Sequence, residues 1–422
     1  MGYIKERNYA MKVLNFGSCN IDFVYSTPHI VRAGETLSAS RLDQFAGGKG
    51  LNQSVAIARA GADVYHAGCI GTDGGMLREL LRESGANVTY LRTVDCKCGH
   101  AIIQLSPEGE NSIVIYAGAN AMVTQEYIDE VLSHFSACDM LVLQNEISNV
   151  DYLVRRAYER GMKIMLNPSP YNESLLGIDY SMLTYLILNE TEAREITGKD
   201  DVDGIISFFR EKYPSLKVIF TIGSRGCIYF DSDTAERQSA FVVEVKDTTA
   251  AGDTFTGYFV ASIARGEPVA KALRIASAAA AISVSRSGAA PSIPTRYEVM
   301  SAIGSMKLGE DTARNERVKS ITERYFDEHL TDARLDELSA RLGYSVIYTG
   351  HLVSKVFGLT FSQLLQDKRC TVAHELLLTT ELSVSEIVRC VGYENESFFR
   401  KMFKKKYGDN PKAYRKMKRN GK

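Results

Sequence analysis

Two segments of the chain hold residues suited, by type and spacing, to moving a phosphoryl group. In DTTAAGDTFTG, Asp247 to Gly257, the small residues Ala250, Ala251 and Gly252 stand directly before Asp253. Beyond them Phe255, Phe259 and Ile263 recur every four residues, the spacing of one helix face. The small residues therefore fall at a helix start, where backbone N–H groups lack intrahelical partners and the helix dipole is positive. With no bulky side chains in the way, an anion can reach those N–H groups. A carboxylate beside them can take the proton of an attacking hydroxyl, which makes Asp253 a candidate general base next to a candidate anion hole. The plainer reading of Asp253 is an ordinary helix cap.

The second segment is FAGGKGLNQSVAIARAGADV, Phe45 to Val64. A lysine among glycines suggests phosphate, but a P-loop needs Ser or Thr after the lysine, and Lys49 is followed by Gly50. The dinucleotide fingerprint fails as well, for want of its third glycine. What remains is a glycine run that allows close backbone approach to a small ligand, followed by a helix with Asn52 in its first turn.

Around these two segments, short apolar runs alternate with amphipathic helical runs from Lys12 to about Pro294. KVLNFGS, MLVLQN, KIMLNP, YLILN and KVIFTIG have strand length, and QEYIDEVLSHF and VDYLVRRAYERG lie between them as helices. This alternation predicts an α/β domain with a parallel sheet covered on both faces, its ligand site at the carboxyl ends of the strands. TLSASRLDQFAGG and CGHAIIQLSPEGENSIVIYAG break the pattern. They pair like antiparallel strands, the second turning at Pro107-Glu108-Gly109, and are placed outside the main sheet as a lid or an oligomer edge.

GGKGLNQSVAIARAG and DTTAAGDTFTG together resemble the two signature motifs of the ribokinase (PfkB) family of carbohydrate kinases, over roughly Val13 to Pro294. The resemblance implies a ribokinase-like three-layer sandwich with a β lid. It implies that Asn20 and Asp22 of GSCNIDFVY, with Gly48, Lys49, Asn52 and Glu146, bind the sugar. In NETE, Asn189 lies near the nucleotide phosphates and Glu192 organises Mg2+ through water. In TIGSRG, Thr221, Gly223, Ser224 and Gly226 run along ATP. Asp253 becomes the base, with Ala250, Ala251 and Gly252 in the anion hole. Asp247, Thr249, Ser283, Arg286, Gly288 and Ser292 fall where the family builds a K+ site. The hydroxyl-binding groups suit a small pentose, ribose first, with deoxyribose, a hexose or a nucleoside left open. The lid implies a homodimer.

The last third of the chain differs. YEVMSAIGSMKLGEDTARNERVKS reads as a final kinase helix and a linker, so the boundaries are 1–303 for the kinase, 304–317 for the linker and 318–422 for an all-α domain. Two helix-turn-helix units joined by FSQLLQDKRCTVAHELL end in a basic helix. Residues Ile321 to Lys416 resemble the AraC-type DNA-binding domain, most clearly at Gly392-Tyr393 and Gly408–Pro411. That resemblance puts Tyr348, Thr349, His351 and Lys355 on a first reading helix, and Asn395, Glu396, Ser397 and Arg400 on a second, with Lys401, Lys404 and Lys405 near phosphates of double-stranded DNA. A helical cap without DNA affinity is the structural alternative, and a sugar-sensing factor without catalysis the functional one.

Composition is consistent with this division. The 422 residues are 45% hydrophobic and 24% charged with net charge −1, as a chain with packed cores requires. Neutrality hides an asymmetry: Asp311 to Lys422 holds 21 Lys and Arg against 15 Asp and Glu. Such a basic excess favours a polyanion. Eight cysteines show no CxxC spacing, and Cys69 and Cys227 lie in apolar runs as buried thiols. With no membrane-spanning stretch and no signal-peptide pattern, the expected location is the cytoplasm.

Overall fold

The computed structural model describes residues 11–393 and 395–420. They divide into two compact units, Met1–Gly309 and Glu310–Lys422.

The first unit is built on a nine-stranded sheet in the order β13-β12-β11-β10-β9-β8-β1-β4-β5. Its central strands β1 (Val13–Phe16), β4 (Val64–Ile70), β8 (Met140–Gln144), β9 (Lys163–Asn167), β10 (Tyr185–Leu188) and β11 (Lys217–Thr221) are parallel. Strand β5 (Leu91–Thr93) extends one edge in parallel, and β12 (Cys227–Phe230) and β13 (Ala235–Gln238) extend the other as antiparallel strands. Val13, Leu14, Leu141, Val142, Met165 and Leu166 are wholly buried, as strands covered on both faces must be.

Two cores flank the sheet. One is packed by α1 (Lys49–Arg59), α2 (Gly75–Glu83), α7 (Ala251–Ala264), α8 (Val269–Val284) and α9 (Arg296–Ala302). The other is packed by α3 (Gln125–Leu132), α4 (Val150–Glu159), α5 (Glu190–Thr197) and α6 (Val202–Lys212). The pair α1 and α7 matters most for function. They touch at Gly257, where a Cβ would stand 2.4 Å from Ala56 Cβ and 3.0 Å from Gln53 O. Only glycine lets the two backbones come that close.

The segments that broke the alternation form a second sheet, β3-β2-β6-β7. Its strands are β2 (Asn20–Ser26), β3 (Arg41–Gly47), β6 (Gly99–Leu105) and β7 (Asn111–Tyr116). The β6–β7 hairpin closes at the predicted turn, with Gly109 N–H bonded to Ser106 O at 3.0 Å. Strand β2 pairs with β6 in parallel, so this sheet is mixed and not wholly antiparallel.

The expected linker 304–317 is structured. Phe241 pairs with Leu308, and Gly309 N–H bonds to Ala240 O at 2.8 Å, returning the chain onto the first unit. Gly309–Glu328 is then one helix, α10. It buries Val318, Thr322, Tyr325 and Phe326 along one narrow stripe, beyond the polar segment that read as linker.

The second unit contains two small cores. Helices α11 (Leu335–Leu342) and α12 (Val346–Phe357) close the first with α10. Helices α14 (Val384–Cys390) and α15 (Glu396–Tyr407) close the second, with Tyr414 of α16 (Pro411–Asn420) packed against it. The long helix α13 (Phe361–Thr379) gives Leu365 to one and Cys370, Ala373 and Leu377 to the other. It is the rod on which both helix pairs are mounted. Gly350 inside α12 is not required by crowding, since a Cβ there would lie 3.6 Å from Leu335 Cδ2. Among the described residues no helix is long and apolar enough to cross a membrane. All eight cysteines are free thiols, with Cys69 and Cys227 buried as expected.

Candidate active site and candidate DNA-binding surface

A cavity of about 250 Å³ opens at the carboxyl ends of the central strands. Asn167 from β9, Leu188 from β10 and Thr221 from β11 line it, as do Lys49, Asn189, Glu192 and the turn Ala250–Asp253. The two sequence motifs therefore meet across one space.

The α7 end has the geometry its composition suggested. Ala250 takes φ 59°, a left-handed conformation sparsely populated by residues with a Cβ. From this sharp entry Ala250, Ala251, Gly252 and Asp253 all line the cavity. Ala251 N–H reaches back to Thr248 O at 3.3 Å, while Gly252 and Asp253 N–H make no such bond. A Cβ on Gly252 would meet no atom within 4 Å, so the space before the helix is open. Asp253 lies two residues inside the helix and caps nothing. Its buried carboxylate accepts from Asn52 Nδ2 at 3.1 Å and Gln53 Nε2 at 3.0 Å. The plain helix-cap reading of Asp253 is thereby excluded.

Asn189 and Glu192 form a capping box at the start of α5: Asn189 N–H donates to Glu192 Oε2 at 2.8 Å and Asn189 Nδ2 donates to Oε1 at 2.9 Å. The box explains the N-x-x-E spacing by itself, and it also fixes a buried carboxylate on the cavity wall. Thr221 Oγ1 donates to Leu188 O at 3.2 Å and stays at the wall. Gly223, Ser224 and Gly226 form the turn beyond it and do not line the cavity. Gly226 has φ 97°, and a Cβ there would lie 2.0 Å from Gln238 O, so its role in this structure is to let β12 leave the turn.

The remaining candidates gather around Lys49 and Glu146. The Glu146 carboxylate accepts from Ser18 Oγ and, at 2.9 Å, from Lys49 N–H. Burial raises Glu146 above the usual carboxylate range despite the opposing Lys49 charge. Burial lowers Lys49, but the carboxylates of Asp253, Glu146 and Glu192 outweigh it and the ammonium titrates above its ordinary value. Asp22 is pushed up to about 6 by burial, with Glu146 adding to the effect. A Cβ on Gly47 would stand 2.1 Å from Asp22 Oδ2, so the Asp22 carboxyl occupies room that only glycine leaves. Gly48, at φ 93°, starts α1, and Asn20 Oδ1 accepts from Asn120 Nδ2 at 2.7 Å. Asn52 Oδ1 is buried without a partner in the protein, an acceptor left for a ligand hydroxyl.

The six residues assigned to K+ share one neighbourhood. Asp247 accepts from Thr249 N–H at 2.9 Å and Gly288 N–H at 2.8 Å, tying two loops together. Ser283 and Ser292 are buried and bonded to each other at 2.7 Å. Arg286 is turned to Glu298 at 2.6 Å, so its side chain serves the loop and not a cation. Among the described residues no cluster of three or more His, Cys, Asp or Glu could hold a metal. Any cation site here must use backbone, hydroxyl or water oxygens, as K+ permits.

In the second unit one assignment is corrected. Thr349 is wholly buried with Leu352 and Val353, and cannot reach DNA. The exposed face of α12 carries Val346, Ile347, Tyr348, His351 and Lys355, with Ile347 exposed to 78%. Sequence reasoning passed over Val346 and Ile347, whose apolar groups suit thymine methyls in a major groove. On the second helix pair Asn395 caps α15 by accepting from Phe398 N–H at 3.0 Å. Arg400 Nε donates to Glu396 at 2.9 Å, so these two neutralise each other before DNA is considered. Ser397, Lys401, Lys404 and Lys405 are exposed and form the basic face. Lys406 is paired to Asp367 at 2.6 Å. Side chains beyond Lys416 lie outside the described residues.

A buried carboxylate in the first turn of a helix, a second acid fixed by a capping box and a polar cleft at the strand ends suit a small-molecule phosphotransferase, here joined to a paired helix-turn-helix unit. Residues 10–296 match the model of the pfkB family of carbohydrate kinases, and residues 338–417 that of a helix-turn-helix domain, of the AraC type. The chain is similar to the ribokinase of Haemophilus influenzae, 36% identical over 297 residues, covering 67% of this chain and 95% of that protein. Among solved structures it resembles Cryptococcus neoformans ribokinase in complex with ADP (33% identity, TM-score 0.62, 69% of this chain and 99% of that one). It likewise resembles Arabidopsis thaliana ribokinase complexed with ribose and ATP (29% identity, TM-score 0.62, 70% and 98%). The chain belongs to the pfkB family of carbohydrate kinases and carries a DNA-binding domain on the same polypeptide.

A carboxylate accepts hydroxyl hydrogens fully only when ionised. With Asp22 as the sugar ligand that the family resemblance implies, sugar affinity is expected to be full above the Asp22 titration and to weaken as pH falls through about 6. Calorimetric titration with sugar across that range checks this, and Asp22→Asn should flatten the dependence; a flat wild-type profile would refute it.

Proposed function

We propose that this chain transfers the terminal phosphoryl group of ATP to ribose, giving ribose 5-phosphate, and reads double-stranded DNA through its second unit. The observation that carries the first part is the buried Asp253 carboxylate at the mouth of the α7 N-terminus, beside open N–H groups. Asn20, Asp22, Asn52 and Glu146 hold the sugar hydroxyls, with the unpartnered Asn52 Oδ1 taking one of them. Asp253 accepts the proton of the attacking hydroxyl as the new P–O bond forms. Gly252 and Asp253 N–H, with the helix dipole, stabilise the charge on the phosphoryl oxygens. Lys49 adds a positive charge on the same cavity. Thr221, Ser224 and the glycines around it follow the nucleotide.

Asn189 and Glu192 fit Mg2+ held through water, because Glu192 is a buried acid on the cavity wall whose oxygens are already orientated. The ion would neutralise phosphate charge. The loops joined by Asp247 fit K+ bound through carbonyl and hydroxyl oxygens. The outer lid supports a homodimer: Ile113, Val114, Ile115 and Tyr116 of β7 are all more than half exposed. ATP and DNA as partners favour the cytoplasm.

Asp253→Asn keeps shape and removes the base. Steady-state kinetics should show kcat reduced by roughly 10²- to 10⁴-fold, with sugar binding retained in calorimetry. Turnover that survives the substitution would remove Asp253 from the role of base.

For the second unit, affinity for duplex DNA should fall steeply with salt. Replacing Lys401, Lys404 and Lys405 together by alanine should flatten the log–log slope by roughly 1 for each phosphate no longer neutralised. No binding at low salt, or an unchanged slope, would favour a helical cap.

A further inference from the structure

Behind Asp253 runs a chain of buried amides that the transfer step does not itself use. Gln53 of α1 is wholly buried and donates through Nε2 to Asp253 Oδ1 at 3.0 Å. Its Oε1 accepts from Gln144 Nε2, at the end of β8, at 2.6 Å. The same Gln144 nitrogen donates to Asn15 Oδ1 of β1 at 2.9 Å. Asn15 Nδ2 donates in turn to Gly50 O and Ser54 Oγ, each at 2.7 Å.

The two ends of this chain decide the direction of every bond in it. An ionised carboxylate only accepts, and so does a backbone carbonyl. Gln53 must therefore present its NH2 to Asp253 and its oxygen to Gln144, and Asn15 must present its NH2 to Gly50. No amide can turn over without leaving two buried groups facing like partners, which costs about 1–3 kcal/mol for each unsatisfied group. The elements that supply the chain are themselves fixed: β1 and β8 are adjacent central strands, and α1 is held to α7 at Gly257. Asn52 provides the second donor to Asp253 but also leaves its own oxygen free for a ligand. The side-chain hydrogen bonds of Gln53 run to the base and to the chain behind it.

We propose that Gln53, locked by Gln144 and Asn15, is the positioning residue of the catalytic base, fixing the plane of the Asp253 carboxylate and holding it in the ionised, proton-accepting form. This rests on the reading of Asp253 as the base. A chain that merely satisfied polar groups in the core would affect stability without touching the pH dependence of catalysis.

The test is the pH profile of kcat at saturating sugar, where the Asp22 effect on binding drops out, for full-length Gln53→Met, which keeps the side-chain length and deletes the donor. The acid limb should move to higher pH by about one unit, kcat at neutral pH should fall about tenfold or more, and KM for sugar and ATP should stay within about twofold. An acid limb that stays at its wild-type position, whatever happens to thermal stability, overturns the inference. Should Gln53→Met not fold, Gln144→Met, which leaves Gln53 in place but unanchored, must shift the limb in the same direction, and no shift overturns it. Asp253→Asn measured alongside separates the two levels. Residual turnover there defeats the base itself, whereas an inactive Asp253→Asn with an unmoved limb in Gln53→Met defeats only the positioning role.

Discussion

The approach of α1 to α7 is what makes the kinase unit possible. It brings Asn52 and Gln53, near the start of one helix, against Asp253, in the first turn of the other. Neither helix could supply the site alone. α7 offers a dipole and open N–H groups, while α1 offers the amides that hold a carboxylate there in spite of burial. The contact is possible because Gly257 has no side chain, and it is held by α8 packed along α7. A buried acid without those donors would bear the desolvation cost of its charge unaided.

From that contact the rest of the cleft follows. The parallel strands stop at one level, so Asn167, Leu188 and Thr221 form a floor, and α5 begins there with a capping box that fixes Glu192. The second sheet grows from the residue run after β1, which is why Asn20 and Asp22 belong at once to the proposed sugar cluster and to that sheet. The short separation of Lys49, Asp22, Glu146, Glu192 and Asp253 sets one cation among several acids. The acids raise the lysine, while burial above all leaves Asp22 and Glu146 above their usual range.

Much of this was legible in the sequence because the informative residues are local. Small residues before Asp253, glycines before Asn52 and the N-x-x-E pair each carry their geometry within one turn of chain. Gln144, Asn15 and Ser18 were not legible, since their meaning lies in contacts across strands whose order the sequence does not print. Thr349 was misassigned although its signal was present: with Leu352 and Val353 it follows the i, i+3, i+4 spacing of a buried face. Residues 304–317 read as linker because they are mostly polar and include two glycines, while the buried stripe of the helix they enter begins at Val318.

Whether this site turns over a sugar is decided by ADP formation by the purified full-length chain against pentoses, hexoses and nucleosides, with Mg2+, with and without K+. Turnover is expected on ribose above the rest of the panel, increased by K+. No turnover on any acceptor, with a sugar still raising the melting temperature, would overturn the kinase reading and leave a sensor in place of an enzyme.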